Sequence, residues 1–174
     1  DRNAWDSPAH EAILEEMGAS YQVINSGSLA SHDLSPYELV IIPGDQLTET
    51  YSNLASNQAK LRDYAESGTL FASAASSGWA GGEWSPYLPG NVEYVEEYYD
   101  DLTIVDDDAE PFVDISDSDV DGWGSSSHGV FPVIPNDANV GVRVANGDPT
   151  YISYQLATGN VLAHTMTLEY AYGE

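Results

Sequence analysis

The sequence predicts an α/β fold, parallel in its first half and mostly β in its second. Three observations carry this. Residues 38–44 form a short apolar run rich in β-branched side chains (Leu39, Val40, Ile41, Ile42) and closed by Pro43-Gly44, the pattern of a strand buried on both faces. Residues 54–67 place Leu54, Leu61, Tyr64 and Ala65 at helical spacing, with Asn53 positioned to cap the start and Gly68 just past the end. Residues 69–75 are a second buried run. A strand–helix–strand unit of this length predicts a right-handed parallel crossover. Chemistry in such sheets gathers at the carboxyl ends of the strands, which directs attention to Gly44, Asp45 and Gln46, and to Ser76, Ser77, Gly78 and Trp79.

The remaining elements follow in order. Residues 1–6 are polar and read as a loop. Ser7 as N-cap and Pro8 at the first position start a helix whose apolar face is Ala9, Ile13, Leu14 and Met17, and which Gly18 ends. Residues 20–24 read as a strand and 25–35 as a loop. Residues 77–90 are a Gly/Trp/Pro-rich loop anchored by Trp79, Trp84 and Tyr87. Residues 91–105 alternate enough for a strand or hairpin (Val92, Tyr94, Leu102, Ile104), 106–108 form an acidic turn, and 111–115 a short strand. Residues 117–129 read as a polar loop. Strands are expected at 130–134 and 140–144, a turn at 146–149, an antiparallel hairpin from 151–156 and 161–166, and a last helical turn at 168–173. No internal repeat is visible.

At 174 residues, with 42% apolar and 11% aromatic content, the chain is long enough for one domain with a real core. Its 29 acidic residues face only Lys60, Arg2, Arg62 and Arg143, for a net charge of −25. Such a field repels phosphate, so binding to nucleic acid or an anionic membrane surface is not expected, and no apolar run is long enough to insert into a membrane. Acid spread along the whole chain with scarce Lys is similar to proteins of extreme halophiles, where salt screens self-repulsion, and it predicts a fold that loosens at low salt. The absence of Cys excludes a disulfide framework and thiol chemistry. A start without Met and without a signal peptide suggests a processed or excised piece of something longer, a single domain over 1–174.

Ile42-Pro43-Gly44-Asp45, a helix ending in Ser67-Gly68, and then Thr69-Leu70-Phe71-Ala72 together resemble the class I glutamine amidotransferase-like family over residues 8–77, and more loosely over 149–173. The resemblance implies a three-layer, flavodoxin-like parallel sheet. It also implies a nucleophile elbow near residues 74–77, which here holds no Cys, and a central strand before the first helix, which is missing from the chain start. That strand is expected upstream of Asp1 unless another segment replaces it. A family member without its nucleophile implies a degenerate, non-catalytic module; a related domain serves oligomerisation in some β-galactosidases.

Three constellations remain. Ser76 or Ser77, with His128 or His164 as base and an acid such as Glu169, would make a serine-type hydrolase, since that chemistry needs an exposed hydroxyl on a strained turn beside a base. The segment Ala75-Ser76-Ser77-Gly78 is not Gly-x-Ser-x-Gly, and the alternative is that these serines turn the strand end. Asp117, Asp119 and Asp121, followed by Gly122, match the first half of a calcium loop. The twelfth position is His128 where the motif needs Glu, and the alternative is a short helix capped by Ser116. Trp79, Trp84, Tyr87 and Trp123, with Tyr98 and Tyr99, form either a binding platform or lids over the sheet edge; His10 and His32 read as surface residues. The function expected is a non-catalytic structural or binding domain of a halophilic archaeal protein, extracellular or on the cell surface. Its partners would be other domains of a parent protein or identical subunits. The alternatives are the serine-type hydrolase and a calcium-stabilised adhesive module.

Overall fold

The computed structural model describes residues 1–76, 79–106 and 111–173. Its strands are β1 (Leu39–Ile42), β2 (Thr69–Ser73), β3 (Glu93–Val95), β4 (Leu102–Ile104), β5 (Val130–Val133), β6 (Asn139–Val144), β7 (Pro149–Leu156) and β8 (Gly159–His164). Its α-helices are α1 (Ala9–Glu16), α2 (Thr48–Ser56), α3 (Gln58–Ala65), α4 (Asp117–Val120) and α5 (Leu168–Gly173). Six strands make one sheet in the order β1-β2-β8-β7-β6-β4, while β3 and β5 pair antiparallel in a second. The fold is α/β as expected, and the main sheet is mixed: β1, β2 and β8 run parallel, and β8, β7, β6 and β4 antiparallel.

Period-two alternation explains how helices come to cover both faces of the parallel half. Leu70 and Ala72 of β2 point into a core with Tyr51, Leu54, Leu61 and Tyr64 of α2 and α3. Phe71 points the other way, against the rings of His10 on α1 and His164 at the end of β8. A second core, under the antiparallel half, joins Leu102, Phe112, Val120, Val142, Tyr151 and Met166. The β7–β8 turn locks onto the end of α3 where Thr158 and Gly159 donate main-chain N–H groups to the Glu66 carbonyl, each at 3.1 Å. A Cβ at Gly159 would collide with the Ala65 and Gly68 carbonyls, so only glycine permits this approach.

Several expected elements are corrected. The single helix at 54–67 is two helices that start earlier, at Thr48, and break at Asn57 (φ −111°, ψ 18°), whose side-chain amide donates back to the Asn53 carbonyl at 2.8 Å. Asn53 is no cap; it donates to Ser26 Oγ at 3.0 Å. Ser7 makes no side-chain cap bond, although Gly18 (φ +68°) does end α1. Residues 20–24 are not a strand and 111–115 are not one either, while 117–129 contains α4. The run 91–105 splits into β3 and β4, which lie in different sheets. β1 is less buried than its apolar run implies, with Leu39 43% exposed. No gap interrupts the sheet, because β2 pairs directly with β8, so the expected missing central strand leaves no empty central position. The acidic turn at 106–108 falls largely outside the described residues.

Candidate functional site

The strand ends the sequence singles out do converge. Asp45 N donates to the Ala75 carbonyl at 2.8 Å and Ala74 N to the His164 carbonyl at 2.7 Å, which ties the exits of β1, β2 and β8 together. Asp45, Gln46, Ser73, Ser76, His164 and Glu169 are all buried there.

What fills this edge is the chain's own start. The Asp45 carboxylate accepts from Trp5 N at 3.0 Å and Ala80 N at 2.8 Å, with the Arg2 guanidinium 3.8 Å away. Gln46 receives Arg2 N at 3.2 Å and donates to the Arg2 carbonyl at 2.9 Å and the Gly44 carbonyl at 2.8 Å. Trp5 packs with Ala4 and Ala75. Trp5 (φ 48°), Asp6 (φ 57°) and Asp45 (φ 48°) all occupy the left-handed region, a conformation that non-glycine residues keep only when surrounding bonds hold it. Carboxylate and amide together supply those bonds.

Ser76 has no base. Its hydroxyl pairs with the Tyr94 hydroxyl at 2.9 Å, and Tyr94 donates onward to the His128 carbonyl. His128 Nδ1 lies 3.3 Å from the Ser76 carbonyl rather than its hydroxyl. A carbonyl only accepts, so that nitrogen carries the proton. Burial lowers the His128 pKa, and Trp5 and Tyr98 flank its ring edge-on. The next described residues, 79–92, hold no helix, so the strand-to-helix turn of an elbow has no helix there. Ser77 lies outside the described residues.

Glu169 is strongly perturbed. Its Oε1 accepts from Gly44 N at 3.2 Å and sits 3.9 Å from His10 Nε2, while its Oε2 and the nearby Ser73 Oγ have no hydrogen-bond partner among the described residues. Desolvation raises its pKa to about 7. His164, donating from Nδ1 to the Met166 carbonyl at 3.1 Å, is driven by burial to about 3. His10, expected on the surface, is half-buried between Phe71 and Glu169, and its pKa is lowered by desolvation. The sequence offered no signal for that contact, since His10 and Glu169 stand at opposite ends of the chain.

The acidic loop and the aromatic platform come apart. Asp117 accepts from Ile104 N at 2.8 Å, Asp121 from Leu102 N at 3.2 Å, and Asp119 closes a capping box with Ser116 at 2.6 and 2.8 Å. The three carboxylates thus serve three separate main-chain sites, and no group of three His, Asp or Glu side chains able to hold a metal gathers among the described residues. Tyr87 is wholly buried with its hydroxyl on the Ser73 carbonyl at 3.1 Å, and Trp84 packs on it. Trp123 donates to Thr167 Oγ1 at 2.8 Å. Trp79 alone of the four stays open, edge-on to Tyr170. An open cleft of about 330 Å³ lies at the opposite, amino edge, bordered by Tyr37, Glu38, Tyr64, Thr69 and Asn160, and another of about 620 Å³ runs along β7 and β8 beside Asn139, Ser153 and Leu162. Among the described residues no helix is long and apolar enough to cross a membrane.

No protein-family model matches the chain. An uncharacterized protein of Clostridium acetobutylicum is 27% identical over 173 residues, 98% of this chain, and the chain spans 18% of that relative's length. Among solved structures, the cytoplasmic protein STM3548 of Salmonella typhimurium shares the fold at a TM-score of 0.62 and 16% identity, over 90% of this chain and 73% of that one. The exo-β-1,4-mannosidase Op5Man5 from Opitutaceae bacterium strain TAV5 (TM-score 0.52, 14% identity) and the β-galactosidase Gan42B (TM-score 0.51, 16% identity) match over 92% and 94% of this chain but 26% and 24% of theirs.

These findings overturn three expectations. The similar structures are not amidotransferase domains, so the glutamine amidotransferase resemblance is withdrawn. Its motifs, a Pro-Gly strand exit and a Gly-ended helix, are generic to a parallel strand–helix–strand unit, and half of this sheet is antiparallel. The halophilic archaeal origin gives way to a bacterial relative, since acidic composition alone does not fix a source. The extracellular or cell-surface location is likewise not upheld: the Salmonella proteins that share the fold are named cytoplasmic.

Proposed function

We propose that the chain is a non-catalytic structural or binding module that works as part of a larger assembly, with other domains of a parent polypeptide or identical subunits as its partners. The observation that carries this reading is the closed carboxyl edge. Asp45 and Gln46, which stand where an α/β sheet does its chemistry, spend their hydrogen bonds on the segment Arg2–Trp5 of the same chain. The small share of the Clostridium relative that the chain spans is in keeping with a module. The test is labelling with a fluorophosphonate probe, which reacts with activated serines. No labelling is expected, because Ser76 is buried and its hydroxyl faces Tyr94. Labelling that disappears in Ser76→Ala would overturn the reading in favour of a serine hydrolase.

A further inference from the structure

β4 is the last strand of the main sheet. It pairs with β6 on one side, and no strand lies on its other side among the described residues. In an antiparallel pair, the main-chain groups of alternate residues point toward the partner and away from it. Val105 N donates to the Gly141 carbonyl at 2.9 Å, and Thr103, two residues earlier, stands opposite Arg143. Leu102 and Ile104 therefore turn their N–H groups outward, away from β6. Outward donors of this kind are what an added strand pairs with.

Both donors are taken by carboxylates. Asp121 Oδ2 accepts from Leu102 N at 3.2 Å, and Asp117 Oδ1 from Ile104 N at 2.8 Å. The spacing explains why acids at these two positions serve. Residues four apart on a helical turn stand about 5–6 Å from each other. Outward donors two apart on a strand stand about 6.4–6.8 Å from each other, a close match. Asp121 N donates to the Asp117 carbonyl at 3.0 Å, which closes that turn. The turn is also anchored: Ser116 and Asp119 form its capping box, and Val120, 4% exposed, joins the core that contains Leu102. The alternating acids Asp117, Asp119 and Asp121 thus divide their work. The outer two cover the strand edge, and the middle one holds the cover in place.

We infer that Asp117 and Asp121 guard the β4 edge against strand addition, and that the partner they turn away is the same edge of a second copy. A strand edge can pair with itself, antiparallel, about a two-fold axis. With Thr103 on that axis, Leu102 of one copy faces Ile104 of the other, and each outward N–H meets an outward carbonyl. The carboxylates fill those donors first. They also set negative charge along the edge of a chain whose net charge is already −25. The guard concerns a side edge of the sheet and stands whether or not the carboxyl edge is catalytic.

Sedimentation and amide hydrogen exchange at molar salt, which screens repulsion between chains, test this. The double variant Asp117→Ala/Asp121→Ala is expected to reach twice the wild-type mass as its concentration rises. When dilute, its Leu102 and Ile104 amides are expected to exchange at least about tenfold faster than in wild type, and association restores their protection. Asp117→Asn/Asp121→Asn keeps an acceptor oxygen at each position and is expected to sediment as wild type does. A folded double Ala variant that matches the wild-type mass at every concentration would overturn the inference. So would Leu102 and Ile104 amides that exchange as fast in wild type as in the dilute Ala variant. Should the double variant fail to fold, Asp117→Ala alone gives the readout, since Asp121 and Val120 stay in place. The Ile104 amide is then expected to speed up while the Leu102 amide holds, and an unchanged Ile104 rate would sink the guard.

Discussion

Two edges of the same parallel unit have opposite fates. The carboxyl edge of β1 and β2 is saturated: Asp45, Gln46 and the Ala75 carbonyl all bond within the chain. The side edge of β1, a few residues away, has no strand partner among the described residues, and Leu39 at its start is 43% exposed. The difference teaches where to look for this domain's business. A buried polar group costs free energy unless bonded, so the polar edge is closed in the isolated fold. An apolar edge tolerates water at a smaller cost and stays open for another element.

The sharpest way to break the comparison is Asp45→Ala. It strips the acceptor from Trp5 N and Ala80 N and the counter-charge from Arg2, and puts Ala at φ 48°. Lost charge-assisted hydrogen bonds in a buried site give about 3 kcal/mol of destabilisation by chemical denaturation. Trypsin cleavage after Arg2 should accelerate as the segment lifts. If stability and cleavage are both unchanged, the carboxyl edge is not held by its own N-terminal segment.

A somewhat smaller effect is expected from Glu169→Gln, and it depends on pH. The folded-state pKa of Glu169 is raised to about 7 by burial, so its stabilising contribution is complete below its unfolded value and is lost as pH rises through 7. The Gln variant keeps an oxygen for Gly44 N and escapes that loss. It should gain about 2 kcal/mol over wild type at pH 8 and nothing at pH 4. His164 works in the opposite sense: with a folded pKa lowered to about 3, its contribution is present above its unfolded value and fades as pH falls from there through 3. Thermal melts of both proteins from pH 4 to 8 separate the two groups. A pH-independent difference would mean that Glu169 is already ionised in the fold.

The α/β class, the parallel β1–β2 pair and the β7–β8 hairpin were all legible, because alternation and turn residues are local signals. So was the alternative for residues 117–121, where the Ser116 capping box displaced the calcium loop. The strand at 20–24 was misread for a physical reason: its pattern is strand-like, but a strand exists only where a neighbour pairs with it, and pairing is not local. The Arg2–Gln46 and His10–Glu169 contacts span 44 and 159 positions, and nothing in either stretch announces the other. Ser76 and His128 were correctly brought near each other, yet it is Tyr94, on β3, that takes the hydroxyl.

The smallest effect belongs to α1, part of whose apolar face is also uncovered. Met17, 75% exposed just past α1, belongs by spacing to that helix's apolar face together with Ile13, 41% exposed. In most surface helices such a face is the buried one. Met17→Ser should therefore leave the stability of the 174-residue chain within about 0.5 kcal/mol of wild type by urea denaturation, as for surface substitutions that touch no buried feature. That near-silence is informative beside the Asp45 result, because a helix face written for burial and indifferent to polar substitution has its cover elsewhere. A loss above about 1 kcal/mol would show that the face already packs in the isolated chain, as the carboxyl edge does.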